Sequence, residues 1–268
     1  MRQRQGWIPA PWEIGACDAG GERVALVPGN EGHDAGETQA PGVGEDMIDA
    51  TISRLESVRM GRDPALLDDM LEFYAPDARR IVDVCCNARR MWKGSKWGSR
   101  VTYYDRDAAM NPDTVCAWDN LPDADKSVDV LVYDPPHMPV AAASPKSLAH
   151  YGTDYGLHGS TKTDNVAELH PPMLKEAKRV LRPDGLIFAK IKDYIHNHRY
   201  QWNLEYFNAA VRAEGLTPCD LIIKRDPCGG NLKSGRWKTA HHAKNVHCYW
   251  VVVRNGRCEP QKTIQNAS

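Results

Sequence analysis

Short apolar runs alternate with helix-like stretches through most of this sequence. Five runs rich in β-branched and other apolar residues predict strands, over residues 80–85, 101–105, 114–118, 128–133 and 186–191. Apolar residues at helical spacing predict helices that begin near residue 46, after Pro64, near residue 166 and at residue 202. Strands that alternate with helices in this way are typical of a parallel sheet covered by helices.

Two of the predicted helices are defined by apolar residues that recur on one face. In the helix after Pro64, we expect the apolar residues to face inward, namely Leu66, Leu67, Met70 and Leu71. The first helix is predicted from Met47, Ile48, Ile52, Leu55 and Val58.

Two last strands, over 219–224 and 246–254, have a polar loop and no helix between them. This arrangement predicts an antiparallel pair at one edge of the sheet.

The chain has 268 residues, of which 42% are hydrophobic and 26% are charged. This balance is typical of a soluble globular protein and excludes a fully disordered chain or a collagen-like fibre. Residues 1–45 are acidic, rich in glycine and without periodicity, so we predict an N-terminal extension there. The main domain is predicted over residues 46–258, with a tail over 259–268. No apolar window is long enough to span a membrane, and no secretory signal is expected at the N-terminus.

Eight cysteines are spread along the chain without a Cys-x-x-Cys pair, and the closest pair is Cys85–Cys86. A structural zinc site needs four converging ligands that usually lie at short spacings, so no metal is predicted. We therefore expect free thiols in a reducing, cytoplasmic location.

Charge is distributed unevenly, although the formal net charge is only −1. Residues 1–50 hold three basic and nine acidic residues, a net −6, whereas residues 187–268 hold thirteen basic and six acidic ones, a net +7. Such asymmetry indicates a polyanionic partner.

Polar residues follow each of the first four predicted strands. The first strand carries Asp83 and leads into Cys85–Cys86–Asn87, the second ends at Asp105, and the third leads into Asp119–Asn120. The fourth is followed by Asp134–Pro135–Pro136–His137. Because ligands of open parallel sheets bind at the carboxyl ends of the strands, we expect these residues to line one site.

The missing motifs and the three aspartates at this edge limit which class of ligand it can bind. No glycine-rich dinucleotide fingerprint and no phosphate-binding P-loop occurs in the sequence. Asp105 is placed to accept from a ribose diol and Asp119 from an adenine amino group, while Asp83 tolerates a cation. S-adenosylmethionine meets these three conditions.

The segment Asp134–Pro135–Pro136–His137 resembles the (Asp/Asn/Ser)-Pro-Pro-(Tyr/Phe/Trp) motif of S-adenosylmethionine-dependent amino-methyltransferases. Residues 119–122, 127–136 and 180–186 are similar to further segments of this family, and the resemblance covers about residues 78–254. It implies a Rossmann-like class I methyltransferase fold, with a mostly parallel seven-stranded sheet, flanking helices and an antiparallel edge strand. It also implies a cofactor site with seven members, namely Asp83, Cys85, Cys86, Asn87, Asp105, Asp119 and Asn120.

The resemblance assigns the chemistry to Asp134, Pro135, Pro136 and His137. The Asp134 carboxylate and the Pro135 carbonyl would accept from the target amine, and the prolines would fix the backbone. His137 stands where the family has a larger aromatic residue, so it either stacks on an extruded base, the favoured interpretation, or titrates. Asn87–Ala88 replaces the usual glycine of the first loop, and Asn tolerates the positive φ of such a turn.

Two stretches that combine cations with aromatic residues are predicted to contact nucleic acid. Their candidate residues are Arg89, Arg90, Trp92, Lys93, Lys96, Lys233, Arg236, Trp237, Lys238 and Lys244. The favoured activity is methylation of an exocyclic amine of a nucleobase, with adenine N6 in DNA first. Methylation of adenine N6 or guanine N2 in RNA, an inactive S-adenosylmethionine-binding module for nucleic acid and a small-molecule amine methyltransferase remain open. No membrane partner is expected.

Overall fold

The structure is a computed structural model that describes residues 55–139, 165–225, 242–243 and 245–258. All of these belong to one compact unit, Asp49–Ser268, and the other unit is Met1–Ile48. The predicted extension over 1–45, the tail over 259–268 and most of the first predicted helix lie outside the described residues.

The described residues form ten strands, three α-helices and several short 3-10 turns. The strands are β1 (Val58–Met60), β2 (Ile81–Asp83), β3 (Val101–Asp105), β4 (Thr114–Val115), β5 (Val128–Tyr133), β6 (Leu181–Ile191), β7 (Tyr194–His196), β8 (Arg199–Gln201), β9 (Thr217–Arg225) and β10 (His247–Arg254). The helices are α1 (Asp63–Tyr74), α2 (His170–Val180) and α3 (Asn203–Ala213). The 3-10 turns span Arg90–Trp92, Gly98–Arg100, Ala108–Met110 and Val166–Leu169.

Eight strands form one sheet in the order β1-β9-β10-β6-β5-β2-β3-β4, and β7 and β8 form a separate hairpin. Neighbouring strands are parallel except β10, which is antiparallel to both β6 and β9. The predicted Rossmann-like α/β class, with its mostly parallel sheet and its antiparallel strand pair, is therefore confirmed.

One additional strand explains why the sheet has eight strands instead of the predicted seven. Val58 was predicted to lie in a helix, but Val58–Met60 form β1 and pair in parallel with β9. The antiparallel pair β9–β10 is consequently not outermost, because β1 covers its free side. A three-residue strand is too short to show a period, so only its long-range partner reveals it.

The sheet separates two apolar layers, as the alternation of strand side chains requires. On one face, Ile81, Val130 and Phe188 pack with α1, whose predicted inward residues are buried as expected. On the other face, Leu131 and Ile187 pack with residues of α2 and α3. Between β2 and β3 the connection contains only two 3-10 turns, and its Met91 and Trp92 pack in the same layer as α1.

Two predicted elements are shorter or differently built than the sequence suggested. The third predicted strand is reduced to Thr114–Val115, which pairs with the end of β3. The helix predicted from residue 166 begins as the 3-10 turn Val166–Leu169 and becomes α-helical only at His170. Proline at the first turn of α2 is compatible with the helix because those N–H groups have no intrahelical partner.

The expectation that all cysteines are free thiols is wrong for one pair. Cys219 and Cys258 form a disulfide with a Cα–Cα distance of 5.7 Å. They are 39 residues apart in sequence and become neighbours because β9 and β10 pair antiparallel, so no local spacing could predict the bond. Among the described residues, the free thiols are those of Cys85, Cys86, Cys116 and Cys248.

No helix among the described residues combines the length and the apolar character that crossing a membrane requires.

Candidate active site at the carboxyl edge of the sheet

Hydrogen bonds join the ends of β2, β3 and β5 into one cluster. Asp83 Oδ1 accepts from the Cys85 backbone amide at 3.1 Å, and the Asn87 side-chain amide donates to the Cys85 carbonyl at 2.8 Å. The Asn87 backbone amide donates to Asp105 Oδ2 at 3.0 Å. The Asp134 backbone amide lies 3.0 Å from the Cys85 thiol. These predicted site residues therefore meet at one edge of the sheet.

The first loop makes its turn without a glycine. Asn87 and Arg89 have φ values of 47° and 53°, in the left-handed region that disfavours most side chains. The Asn87 side chain bonds within its own turn, which is the reason that Asn tolerates this conformation. The Cys86 amide donates to the Tyr104 carbonyl at 2.9 Å and holds the loop against β3. The predicted substitution of Asn for glycine thus preserves the turn.

Asp83 is a fully buried carboxyl group beneath this loop. Its Oδ2 accepts from the Trp92 indole Nε1 at 2.8 Å. Burial raises the pKa of Asp83 to about 7, although the hydrogen bonds from Trp92 and Cys85 act in the opposite direction. Asp83 is therefore close to its midpoint of ionisation at neutral pH, and a nearby cation would favour the ionised form.

The other two carboxylates of the predicted cofactor site differ in their surroundings. Asp105 is only 6% exposed, and it also accepts from the Asp107 amide at 3.0 Å. Asp119 and Asn120 are exposed in the loop after β4, and no contact within the described residues joins their side chains to the cluster. Beside them, Trp118 packs edge-on against Tyr133 with ring centroids 5.9 Å apart, a contact that sequence reasoning missed.

Asp134 is held by two basic side chains directly after β5. Its Oδ1 lies 3.1 Å from His137 Nε2, and its Oδ2 lies 3.4 Å from Lys190 Nζ. Burial would raise the pKa of Asp134, but Lys190 and His137 outweigh it and lower the pKa to about 2. The carboxylate is therefore ionised throughout the neutral range.

Lys190 connects Asp134 to a longer series of alternating charges, which we call the buried charge chain: Asp134, Lys190, Asp63 and Lys224. Lys190 Nζ is 3.0 Å from Asp63 Oδ2, and Lys224 Nζ is 3.1 Å from Asp63 Oδ1. Burial opposes the charge on Lys190, yet Asp134 and Asp63 keep its pKa above the ordinary value. Sequence reasoning missed this chain, although a lysine inside the apolar run Leu186–Ile191 is a visible anomaly.

His137 presents one ring nitrogen that has no hydrogen-bond partner in the part of the chain that the structure describes. Its Nε2 contacts Asp134, whereas its Nδ1 is buried and has no hydrogen-bond partner in the described structure. If Nε2 carries the proton that it donates to Asp134, Nδ1 is an acceptor. Buried polar atoms are rarely left unsatisfied, so Nδ1 is available to a bound molecule.

The predicted nucleic-acid residues fall into four groups: one is buried, two form ion pairs, two more are exposed, and five lie outside the described residues. Trp92 is 4% exposed, and its burial contradicts a stacking role, because its indole packs in the core and bonds to Asp83. Arg89 pairs with Asp113 at 3.0 Å, and Lys96 pairs with Glu72, while Arg90 and Lys93 are exposed. The remaining candidates lie outside the described residues: Lys233, Arg236, Trp237, Lys238 and Lys244.

The loop that carries Arg89, Arg90, Lys93 and Lys96 also borders an open pocket of about 430 Å³. Its lining includes Arg89, Lys93, Ser95, Ser99 and Tyr103. The guanidinium of Arg89 lies over the Tyr103 ring, 4.2 Å from its centroid. Two cations of this loop, Arg89 and Lys93, therefore line the pocket, together with apolar residues such as Trp92.

No protein-family model and no curated protein matches the sequence. Solved structures that match in part include an S-adenosylmethionine-dependent methyltransferase from Methanosarcina mazei, at 12% identity over 69% of this chain and 96% of that chain, with a TM-score of 0.41. A second is the 1,6-didemethyltoxoflavin-N1-methyltransferase of Burkholderia thailandensis, at 14% identity over 73% and 79%, with a TM-score of 0.41. A third is a provisionally named DNA modification methylase from Thermus thermophilus, at 14% identity over 70% and 57%, with a TM-score of 0.34.

Proposed function

We propose that this protein transfers a methyl group from S-adenosylmethionine to an exocyclic amine of a nucleobase, with adenine N6 in DNA as the first choice. The observation that carries the proposal is the contact between Asp134 and Cys85, 3.0 Å from amide to thiol. It places the Asp-Pro-Pro-His segment beside the loop proposed to bind the cofactor. A methyl donor and an amine acceptor would then meet at the same edge of the sheet.

The residues present fit the proposed cofactor. Asp105 and Asp119 supply acceptors for a ribose diol and an adenine amino group, and Asp83, whose pKa is close to neutral, can ionise beneath a sulfonium. Asn87 adopts the positive φ for which the family's loop uses glycine, so the loop can make its turn without a glycine. S-adenosylmethionine supplies an electrophilic methyl group when it is bound, and the chain's own residues position the amine.

Orientation of the amine is proposed to depend on Asp134, Pro135 and His137. An exocyclic amine is a poor nucleophile until acceptors hold its N–H groups and direct its lone pair at the methyl group. The Asp134 carboxylate and the Pro135 carbonyl are the candidate acceptors, because each Asp134 oxygen contacts one basic side chain and keeps a further lone pair. Transfer would form the N–C bond as the S–CH3 bond of the sulfonium breaks and a neutral thioether leaves. The methylated amine would then carry one surplus proton, which His137 Nδ1 could accept while Asp134 stabilises the imidazolium.

The surface near the site offers cations for a polyanionic substrate. Arg90 and Lys93 are exposed on the loop after β2, and Arg89 lines the adjacent pocket. Cations of this kind give affinity for phosphates without selecting a base sequence. Adenine is preferred to cytosine because Asp in the first motif position is commoner for adenine, and Ser for cytosine, in the family that the sequence resembles.

Replacing either proposed cofactor acid should weaken cofactor binding. We expect Asp105→Ala and Asp119→Ala each to reduce S-adenosylmethionine affinity by about 1–3 kcal/mol, the contribution of one hydrogen bond to a charged group. Titration calorimetry measures the affinity. Asp119→Ala is the sharper test, because its exposed side chain makes no other contact within the described residues, and Asp125→Ala is a matched exposed control. Unchanged affinity in both site variants would disprove the cofactor assignment.

His137 should act through its nitrogens and not only through its flat ring. We expect His137→Phe and His137→Ala to lose similar activity, about 10²-fold or more, because neither can accept a proton. Single-turnover methylation with a saturating donor measures the loss, and cofactor affinity should stay unchanged in both. A His137→Phe variant with near-native rate would show instead that the ring stacks on the base.

The function itself is tested by exposing DNA and RNA to the protein with a labelled methyl donor. The nucleic acids are then digested, and the labelled nucleoside is identified by mass. N6-methyl-2′-deoxyadenosine from DNA is the expected product. Label in RNA alone would show that the substrate is RNA and not DNA. If the protein binds the cofactor but labels neither nucleic acid, the nucleobase assignment is contradicted.

A further inference from the structure

The hairpin β7–β8 and the start of α3 expose an aromatic surface that the proposed chemistry does not use. We call Tyr200, Trp202 and Tyr206 the aromatic strip. Trp202 is 57% exposed and Tyr206 is 50% exposed. Large aromatic side chains are seldom exposed to this extent without a partner, so the strip marks a binding surface.

Two of the three rings contact each other. The centroids of Tyr200 and Trp202 are 4.6 Å apart, with their planes tilted by 54°. Tyr200 is anchored by its hydroxyl, which donates to Asp193 Oδ2 at 3.2 Å. The Tyr206 amide donates to the Trp202 carbonyl at 3.2 Å, which places Tyr206 one helical turn after Trp202.

A short series of contacts connects the strip to the proposed active site. Asn203, next to Trp202, donates to the Lys192 carbonyl at 3.3 Å and contacts His170 Nε2 at 2.9 Å. His170 Nδ1 in turn lies 3.4 Å from the hydroxyl of Tyr133, the residue before Asp134. His137 is near enough to help lower the pKa of His170 to about 4, although burial contributes most. The hairpin also follows the carboxyl end of β6, which is parallel to β5, so the strip and Asp134 lie at the same edge of the sheet.

Charged groups of both signs surround the strip. Arg199 is exposed and Lys192 is half-buried, whereas the carboxylate of Asp193 is buried and occupied by hydrogen bonds. Glu205 is the exposed acid of this surface. Cations beside exposed rings are the combination that binds unpaired nucleotides, because every base has a flat face and every linkage carries a charge.

We propose that the aromatic strip binds unpaired nucleotides that flank the target base. This inference rests on the proposed function, because it uses the position of the strip beside Asp134. Bases inside a duplex hide their faces, so the strip would favour single strands, loops or strands opened at the target. The strip would supply affinity for the strand, and Asp134 and His137 would act on the base.

Binding of fluorescein-labelled single strands of about 15 nucleotides, measured by anisotropy, tests the proposal. The probes are a mixed-sequence DNA strand, the same strand as RNA, and the DNA duplex. We expect Trp202→Ala and Tyr206→Ala each to weaken single-strand binding about 5- to 100-fold and Trp202→Phe to retain most of it. Met60→Ala, on the edge strand β1 and 60% exposed, is the matched control.

The outcomes separate this proposal from the proposed function. If Trp202→Ala and Tyr206→Ala both bind single strands as well as the native protein, the strip is not the binding surface, whatever the methylation assay shows. Equal losses for the duplex and the single strand would overturn the preference for unpaired bases. If the native protein methylates no nucleic acid but the strip variants still lose binding, the surface assignment stands and the proposed chemistry fails.

Discussion

Asp134→Asn is expected to lose methyl transfer by about 10²- to 10⁴-fold while it retains cofactor affinity. The substitution keeps the size of the side chain but removes the charge that faces His137 and Lys190. A neutral amide can no longer stabilise an imidazolium, so His137 becomes a weaker proton acceptor. Single-turnover rates with a labelled donor measure the loss, and calorimetry measures the affinity.

Asp125→Asn is the appropriate control for this variant. Its side chain is 72% exposed and pairs with Arg179 at 2.6 Å, away from the proposed site. We expect its rate to equal that of the native protein. An Asp134→Asn rate above about a tenth of native would exclude Asp134 from the reaction, since that corresponds to less than about 1.4 kcal/mol of transition-state stabilisation.

Lys190→Met is expected to destabilise the fold by about 3–5 kcal/mol, because it leaves Asp134 and Asp63 buried without the cation between them. The side chain of Lys190 is only 14% exposed, so solvent screens the charges weakly. Urea unfolding followed by circular dichroism measures the change. Arg182→Met is the matched control, because Arg182 pairs with Asp129 at 2.6 Å but is 48% exposed. A surface pair of this kind contributes less than about 1 kcal/mol.

The pH dependence distinguishes this electrostatic effect from lost packing. In the native protein the pKa of Asp134 is lowered to about 2, so its contribution to stability is complete above about pH 4 and is lost as the pH falls toward 2. In Lys190→Met the carboxyl loses its cation and protonates at a higher pH. The stability difference between native and variant should therefore shrink under acid, whereas a difference that stays constant with pH would indicate a packing defect.

Local sequence patterns determined the elements and the placement of the acids. Strands β2, β3, β5 and β6 and the helices after Pro64 and at residue 202 were predictable because side-chain period reflects burial on one face. Asp83, Asp105 and Asp134 could be placed at one edge because the carboxyl ends of parallel strands lie at the same edge of the sheet. Even the glycine-free turn at Asn87 was readable, since Asn tolerates positive φ.

Tertiary structure alone decided which distant residues are neighbours. Strand β1, the Cys219–Cys258 bond and the buried charge chain all depend on pairings across long sequence separations, which local periodicity does not encode. For the same reason Trp92 reads as a surface ring in the sequence, yet it is buried against Asp83. Sequence therefore supplied the functional groups, and their packing determined which of them act together.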